Sequence, residues 1–166
     1  MGFGSMDLWE RCSRYADRHE IVIKEDERFK VGSGQDGSVW ATTTNTAVKV
    51  LNFEPLYDRE RSAYFRLLEH DVSKVLGCFV PRLVDYDDEL WVVEMTIVSR
   101  PFVLDFAGAY LDVPPAYSPE MIEEWEREKA EHFEDDWPKI KAIRAAFRAF
   151  GIYLTDLTPN NIALHP

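Results

Sequence analysis

Gly32-Ser33-Gly34-Gln35-Asp36-Gly37 runs straight into Ser38-Val39-Trp40-Ala41-Thr42, and Lys49 stands twelve positions after the third glycine, inside Ala47-Val48-Lys49-Val50-Leu51. Glycine tolerates φ > 0 and lets a backbone come close to another group, so three glycines at this spacing make a tight, open turn. The same spacing marks dinucleotide-binding turns, but there the third glycine opens a helix. Here β-branched and aromatic residues come after it, which favours a strand. The segment therefore reads as a hairpin whose tip can lie over a polyphosphate, with Lys49 on the next strand as a point charge beneath it. Taken alone, Lys49 would be an ordinary solvent-facing strand lysine.

A chain of 166 residues, 46% of them hydrophobic, is long enough for one ordinary domain with its own core. The formal net charge of −11 argues against a nucleic-acid partner, because phosphate backbones demand positive surface. Much of the acidity lies in 120–136, where only Arg127 and Lys129 oppose it; a solvated helix face is the plain reading. Cys12 and Cys78 show no metal-ligand spacing and read as buried thiols in a reducing compartment. No apolar run has the length of a membrane span, so the expectation is a cytoplasmic protein with no membrane partner.

Residues 7–19 read as an amphipathic helix with Leu8, Cys12 and Tyr15 on one side. Ile21-Val22-Ile23 and Phe29-Lys30-Val31 read as short strands leading into the glycine turn. A hairpin through Val39-Trp40-Ala41 and Ala47–Leu51 turns at Asn45, and a helix is expected over 58–68 with Tyr64, Leu67 and Leu68 as its apolar stripe. A second hairpin joins 81–86 to 90–95 around Asp87-Asp88. Ser118-Pro119 starts a helical stretch that Pro138 divides, with Asp135 or Asp136 capping the second part and Gly151 at its end. Trp125, Phe133, Trp137, Ile140, Phe147 and Phe150 recur at helical spacing as a core stripe. A β-rich first half and a helical second half make the fold class α+β.

The order of features then matters: glycine hairpin, strand lysine, helix glutamate, apolar strand, helices, and finally Tyr153-Leu154-Thr155-Asp156-Leu157-Thr158-Pro159-Asn160-Asn161-Ile162. From about Val31 to Ile162 this resembles the protein-kinase-like fold. The resemblance implies an N-terminal extension (1–19), a five-stranded antiparallel lobe with one helix (20–96) and a truncated helical lobe (97–166). It implies ATP under a flap carrying Gly32, Gly34 and Gly37, with Val39 and Ala47 against the adenine and Lys49 paired with Glu60. Glu94, Met95 and Thr96 would be the connecting segment whose backbone bonds the adenine edge. Asp156 would accept or orient the acceptor hydroxyl, and Asn161 would hold Mg²⁺, matching the family's Asp-x-x-x-x-Asn spacing. Read singly, Glu60 and Glu94 would be exposed, and Asp156 through Pro159 would be a turn.

The pattern also departs from the family. An Asp-Phe-Gly segment, whose aspartate is the main magnesium ligand, should come after the catalytic loop, yet the chain stops at Pro166. Asp105-Phe106-Ala107-Gly108 precedes that loop and carries an extra residue, so it reads as a helix or loop rather than the metal motif. Leu154-Thr155 stands where the family has His-Arg, and Thr158 where many members have lysine. Magnesium sites commonly use one or two carboxylates plus phosphate. The expectation is thus a degenerate nucleotide-binding or regulatory module. The alternative is an active phosphotransferase on a protein or small-molecule hydroxyl, completed by another acid, a missing segment or a partner chain. A lobe cut short would expose Ile140, Ile143, Phe147 and Phe150, an argument for homo-oligomers.

Overall fold

The computed structural model describes residues 6–24 and 30–166. Among them are four helices: α1 (Leu8–His19), α2 (Glu54–Glu69), α3 (Pro119–Phe133) and α4 (Trp137–Arg148). The longer strands are β1 (Lys30–Ser33), β2 (Gly37–Ala41) and β3 (Thr46–Leu51). After α2 come β4 (Lys74–Val75), β5 (Cys78–Phe79), β6 (Leu83–Asp87) and β7 (Val92–Thr96). Four two-residue strands complete the set: β8 (Phe102–Val103), β9 (Tyr110–Leu111), β10 (Ile152–Tyr153) and β11 (Ile162–Ala163). The class is α+β, built on a five-stranded antiparallel sheet in the order β1-β2-β3-β7-β6.

The side-chain period of two sorts the central strand β3 between two cores. Val48 and Val50 face α1, packing with Cys12, Tyr15 and Trp40. Ala47 and Leu51 face the other way, with Tyr64 and Leu67 of α2. Both faces of β3 are covered, which explains its nearly unbroken apolar run. Helix α1 is fixed at its start by a capping box, Asp7 with Glu10, and both thiols are buried.

Several expected elements differ in extent. Helix α2 begins at Glu54, four residues early, because Pro55 suits a first turn and does not delay the helix. Ile21-Val22-Ile23 contributes a single bridge, Ile23 to Thr42, instead of a strand. The next expected strand is Lys30–Ser33, and Phe29 lies outside the described residues. Ser118 caps α3 through a 3.2 Å bond from the Met121 N–H. A 3₁₀ turn at Glu134–Asp136 separates α3 from α4, with Pro138 in the first turn of α4. Asp136 stands at the cap position without capping; its carboxylate bonds His165 at 2.9 Å.

The apolar residues expected to form a self-association patch are interior. Ile140, Ile143 and Phe147 are fully buried, and Phe150 packs against the same core. Phe106 supplies the cover, lying edge-on to Tyr64 at 5.2 Å and tilted against Phe147 at 5.7 Å. Burying a ring of this size stabilises by about 2–3 kcal/mol, so one loop residue ties α2 to α4. No helix among the described residues is long and apolar enough to cross a membrane.

Gly37 is required by contact. A Cβ there would lie 2.0 Å from the Val50 carbonyl oxygen, since Gly37 pairs with Leu51 on β3. Gly37→Ala is expected to lower stability by about 1–3 kcal/mol, seen as a lower urea midpoint. Gly34→Ala, whose Cβ would meet nothing within 4 Å, serves as control and should move by under about 0.5 kcal/mol. Equal midpoints for the two variants would contradict the contact.

Candidate functional site

Lys49 shares the inward face of β3 with Ala47 and Leu51, opposite Val39 on β2 and Val93 on β7. Its side chain is buried and bridges two carboxylates: Glu60 Oε2 at 2.7 Å and Asp105 Oδ1 at 3.1 Å. Glu60 comes from the second turn of α2 and is itself fully buried. Burial alone would push the Lys49 ammonium down, but Glu60 and then Asp105 more than offset it and hold the group above its ordinary range. Burial pushes the Glu60 carboxyl up to about 7, with Lys49 pulling against it.

Asp105 arrives by strand pairing. Strand β8 pairs antiparallel with β11, Val103 opposite Ile162, and the Leu104 N–H donates to the Asn161 carbonyl at 2.7 Å. The residue after Leu104 thereby reaches Asp156, although β11 comes after the Asp156 loop and β8 precedes it by the length of α3 and α4. Gly108 lets the two segments touch: a Cβ there would lie 2.9 Å from Thr155 Oγ1, which donates to the Gly108 carbonyl at 2.6 Å. Asp105 takes a left-handed φ of 68°, a conformation aspartate tolerates, and its carboxylate also accepts from the Ala107 N–H at 3.2 Å.

Carboxylate oxygens of Asp36, Asp105 and Asp156 lie within 4.8 Å of one another. Asp36 sits at the tip of the glycine turn, which closes through a 2.9 Å bond from the Gly34 N–H to the Gly37 carbonyl. Asn52 ties the tip down, donating its side-chain amide to the Gln35 carbonyl and its N–H to the Asp36 carbonyl, at 2.6 and 2.8 Å. Burial and then Asp105 push the Asp156 carboxyl up, with Lys129, Lys49 and Asn161 opposing. Asp36 is raised in the same way, with Lys49 opposing. Asn161 donates its Nδ2 to the Asp156 carboxylate at 3.2 Å, leaving its side-chain oxygen as the acceptor available to a cation. Four acids thus surround one buried ammonium, a charge balance that suits a divalent cation with oxygen ligands.

Of the residues singled out from the sequence, Lys49, Glu60, Asp156 and Asn161 converge with Asp105, and Gly32, Gly34 and Gly37 belong to the turn above. Val39 and Ala47 line the same face of the sheet. Met95 lies opposite Ala47 on the Lys49 face of the sheet and packs in the same core, while Glu94 and Thr96 lie opposite Val48 and Thr46 on the other face. They form a central strand whose backbone is taken up by ladders to β3 and β6, and the unladdered stretch begins only at Ile97. The Glu94 carboxylate is buried on the opposite face, accepting from Tyr15 Oη at 2.8 Å and Thr46 Oγ1 at 2.6 Å. A glutamate at a strand end is ordinarily exposed; two hydroxyl donors make its burial stable here.

Asp105 and Asp36 join the site without having been singled out from the sequence, and Lys129 bears on it through its charge alone. Asp105-Phe106 carries a signal in its residue pair, but its place in the chain argues against it. Lys129 lies in a run of acids and looks solvated, yet it is buried beside Trp125 and its charge reaches Asp156. The acids of that helix are exposed, as a solvated face requires. No protein-family model matches the sequence, and no curated protein matches it.

Proposed function

We propose that this chain is a kinase-like protein that binds ATP with Mg²⁺ between its sheet and its helical half and transfers a phosphoryl group to a hydroxyl. The observation that carries the reading is the Lys49 ammonium held between Glu60 and Asp105 beneath the glycine turn, with Asp156 beside it. The degenerate-module alternative rests on a missing acid, and Asp105 supplies an acid at that point. In the family the corresponding aspartate comes after the catalytic loop; here a segment ahead of it would do the same work.

In this reading Lys49 stays cationic and positions phosphate oxygens, and Glu60 keeps it from swinging away. Asp156 orients the acceptor hydroxyl and takes its proton, a task helped by a carboxyl pKa displaced upward. Asp105 and the side-chain oxygen of Asn161 would hold Mg²⁺, which would supply neutralising charge to the phosphates. Lys129 adds positive charge near Asp156, where Thr158 offers none. The glycine turn excludes water above the phosphates, with the adenine against Val39 and Ala47.

Calorimetric titration with ATP tests the reading. Affinity is expected to be at least about tenfold higher with Mg²⁺ than with EDTA, because four acids repel an uncomplexed triphosphate. Absence of ATP binding under both conditions would overturn it.

A further inference from the structure

A cavity of about 320 Å³ lies between α3, α4 and the start of the Asp156 segment, and none of its lining residues belongs to the Lys49 cluster. Its walls are apolar and aromatic, Tyr117, Met121 and Trp125 on one side and Tyr153 on the other, and two of its residues are arginines, Arg144 and Arg148. That pairing is unusual in a chain of net charge −11. The Arg144 guanidinium lies over the Trp125 ring at 4.6 Å and that of Arg148 over Tyr153 at 5.8 Å. One carboxylate, Glu126 at 3.6 Å from Arg144, stands against the two cations, and Arg148 has no ion pair among the described residues. Burial and then Arg148 lower the Arg144 pKa, a sign that the two cations repel each other.

The size falls within the range of small-molecule sites, which combine apolar walls with a few convergent polar groups. Guanidinium groups prefer planar two-oxygen anions, which they grip with parallel N–H bonds, and aromatic faces accept flat apolar bodies. We propose that this cavity binds a small organic anion, its flat apolar body among Tyr117, Met121 and Trp125 and its carboxylate or phosphate held by Arg144 and Arg148. The anion relieves the repulsion between the two arginines, which a neutral ligand of the same shape does not. The site stands independently of nucleotide binding.

The test is calorimetric titration of the full chain with benzoate and phenyl phosphate, with benzyl alcohol as the neutral probe. At least one anion is expected to bind about tenfold or more tighter than benzyl alcohol. Arg148 is exposed, so Arg148→Gln should fold normally; it should weaken anion binding about tenfold and leave benzyl alcohol unchanged. Trp125→Leu should weaken all three probes. A benzyl alcohol affinity equal to that of the anions, no binding by any probe, or an Arg148→Gln variant with unaltered anion affinity would each overturn the proposal.

Discussion

Asp105→Ala is expected to reduce Mg²⁺-dependent phosphoryl transfer from ATP by about 10²–10³-fold, some 3–4 kcal/mol of barrier. The proposed site holds its cation with few donors, and Asp105 bonds Lys49 directly, at 3.1 Å. Removing it takes away a metal ligand and half of the ion pairing that keeps Lys49 in place. Asp156→Ala should cost at least as much, through loss of the group that orients the hydroxyl. Asp36→Ala, on the turn above, should cost less, because the tip is tied to Asn52 through the Asp36 backbone carbonyl, which alanine keeps. Transfer of radiolabelled phosphate measures all three. An Asp105→Ala variant as active as the wild type would remove Asp105 from the mechanism. A wild-type chain no faster than Asp156→Ala would return the protein to the binding-module reading.

Lys49→Met should destabilise the fold by about 3–5 kcal/mol, because it leaves Glu60 buried without its cation. Lys49→Met with Glu60→Gln should recover part of that loss, since Glu60 then carries no buried charge and only Asp105 is left without its cation. The pH dependence comes from the signs of the shifts. In the wild type the Lys49 pKa is raised, so its contribution is complete below the unfolded value and fades only as pH rises through the higher folded value. Stability should therefore carry no Lys49-dependent change between about pH 5 and 9. In Lys49→Met, Glu60 loses the group that pulled its pKa down toward about 7, so the folded value rises further. An acid with a raised folded pKa stabilises below its unfolded pKa and loses that contribution as pH rises through the folded one. The deficit should be largest above neutrality and shrink toward pH 5. Urea midpoints across that range check it; a pH-independent deficit, or none, would show that Glu60 is not a buried charge neutralised by Lys49.

Local chemistry is readable wherever neighbours along the chain decide the outcome. Asp7 with Glu10, Ser118-Pro119 and Asn45 with its left-handed φ of 63° all act within a few residues. The Lys49–Glu60 pair, eleven positions apart, and Asp156 with Asn161, five apart, were legible only through the order of motifs that carries the family resemblance, since read singly these residues would be exposed or in a turn. Burial of Glu94 and Lys129 is not readable, because whether a charge is hidden depends on donors and rings brought in from other elements. The interior position of Ile140, Ile143 and Phe147 likewise depends on a core assembled from distant segments, with Phe106 packed against Phe147. Asp105 lies 56 positions from Lys49 and 51 before Asp156, and what brings it to the Asp156 segment is an antiparallel pairing of two-residue strands.

The sequence by itself determined a glycine turn before a strand, a lysine on the strand after it, and the presence of the four helices, since backbone propensity, capping and side-chain periodicity are local properties. Only the tertiary structure decided which acids meet that lysine. Chain order does not set spatial order when a strand pairs with one from a later segment, and the low-dielectric interior then makes the resulting charge pairs strong.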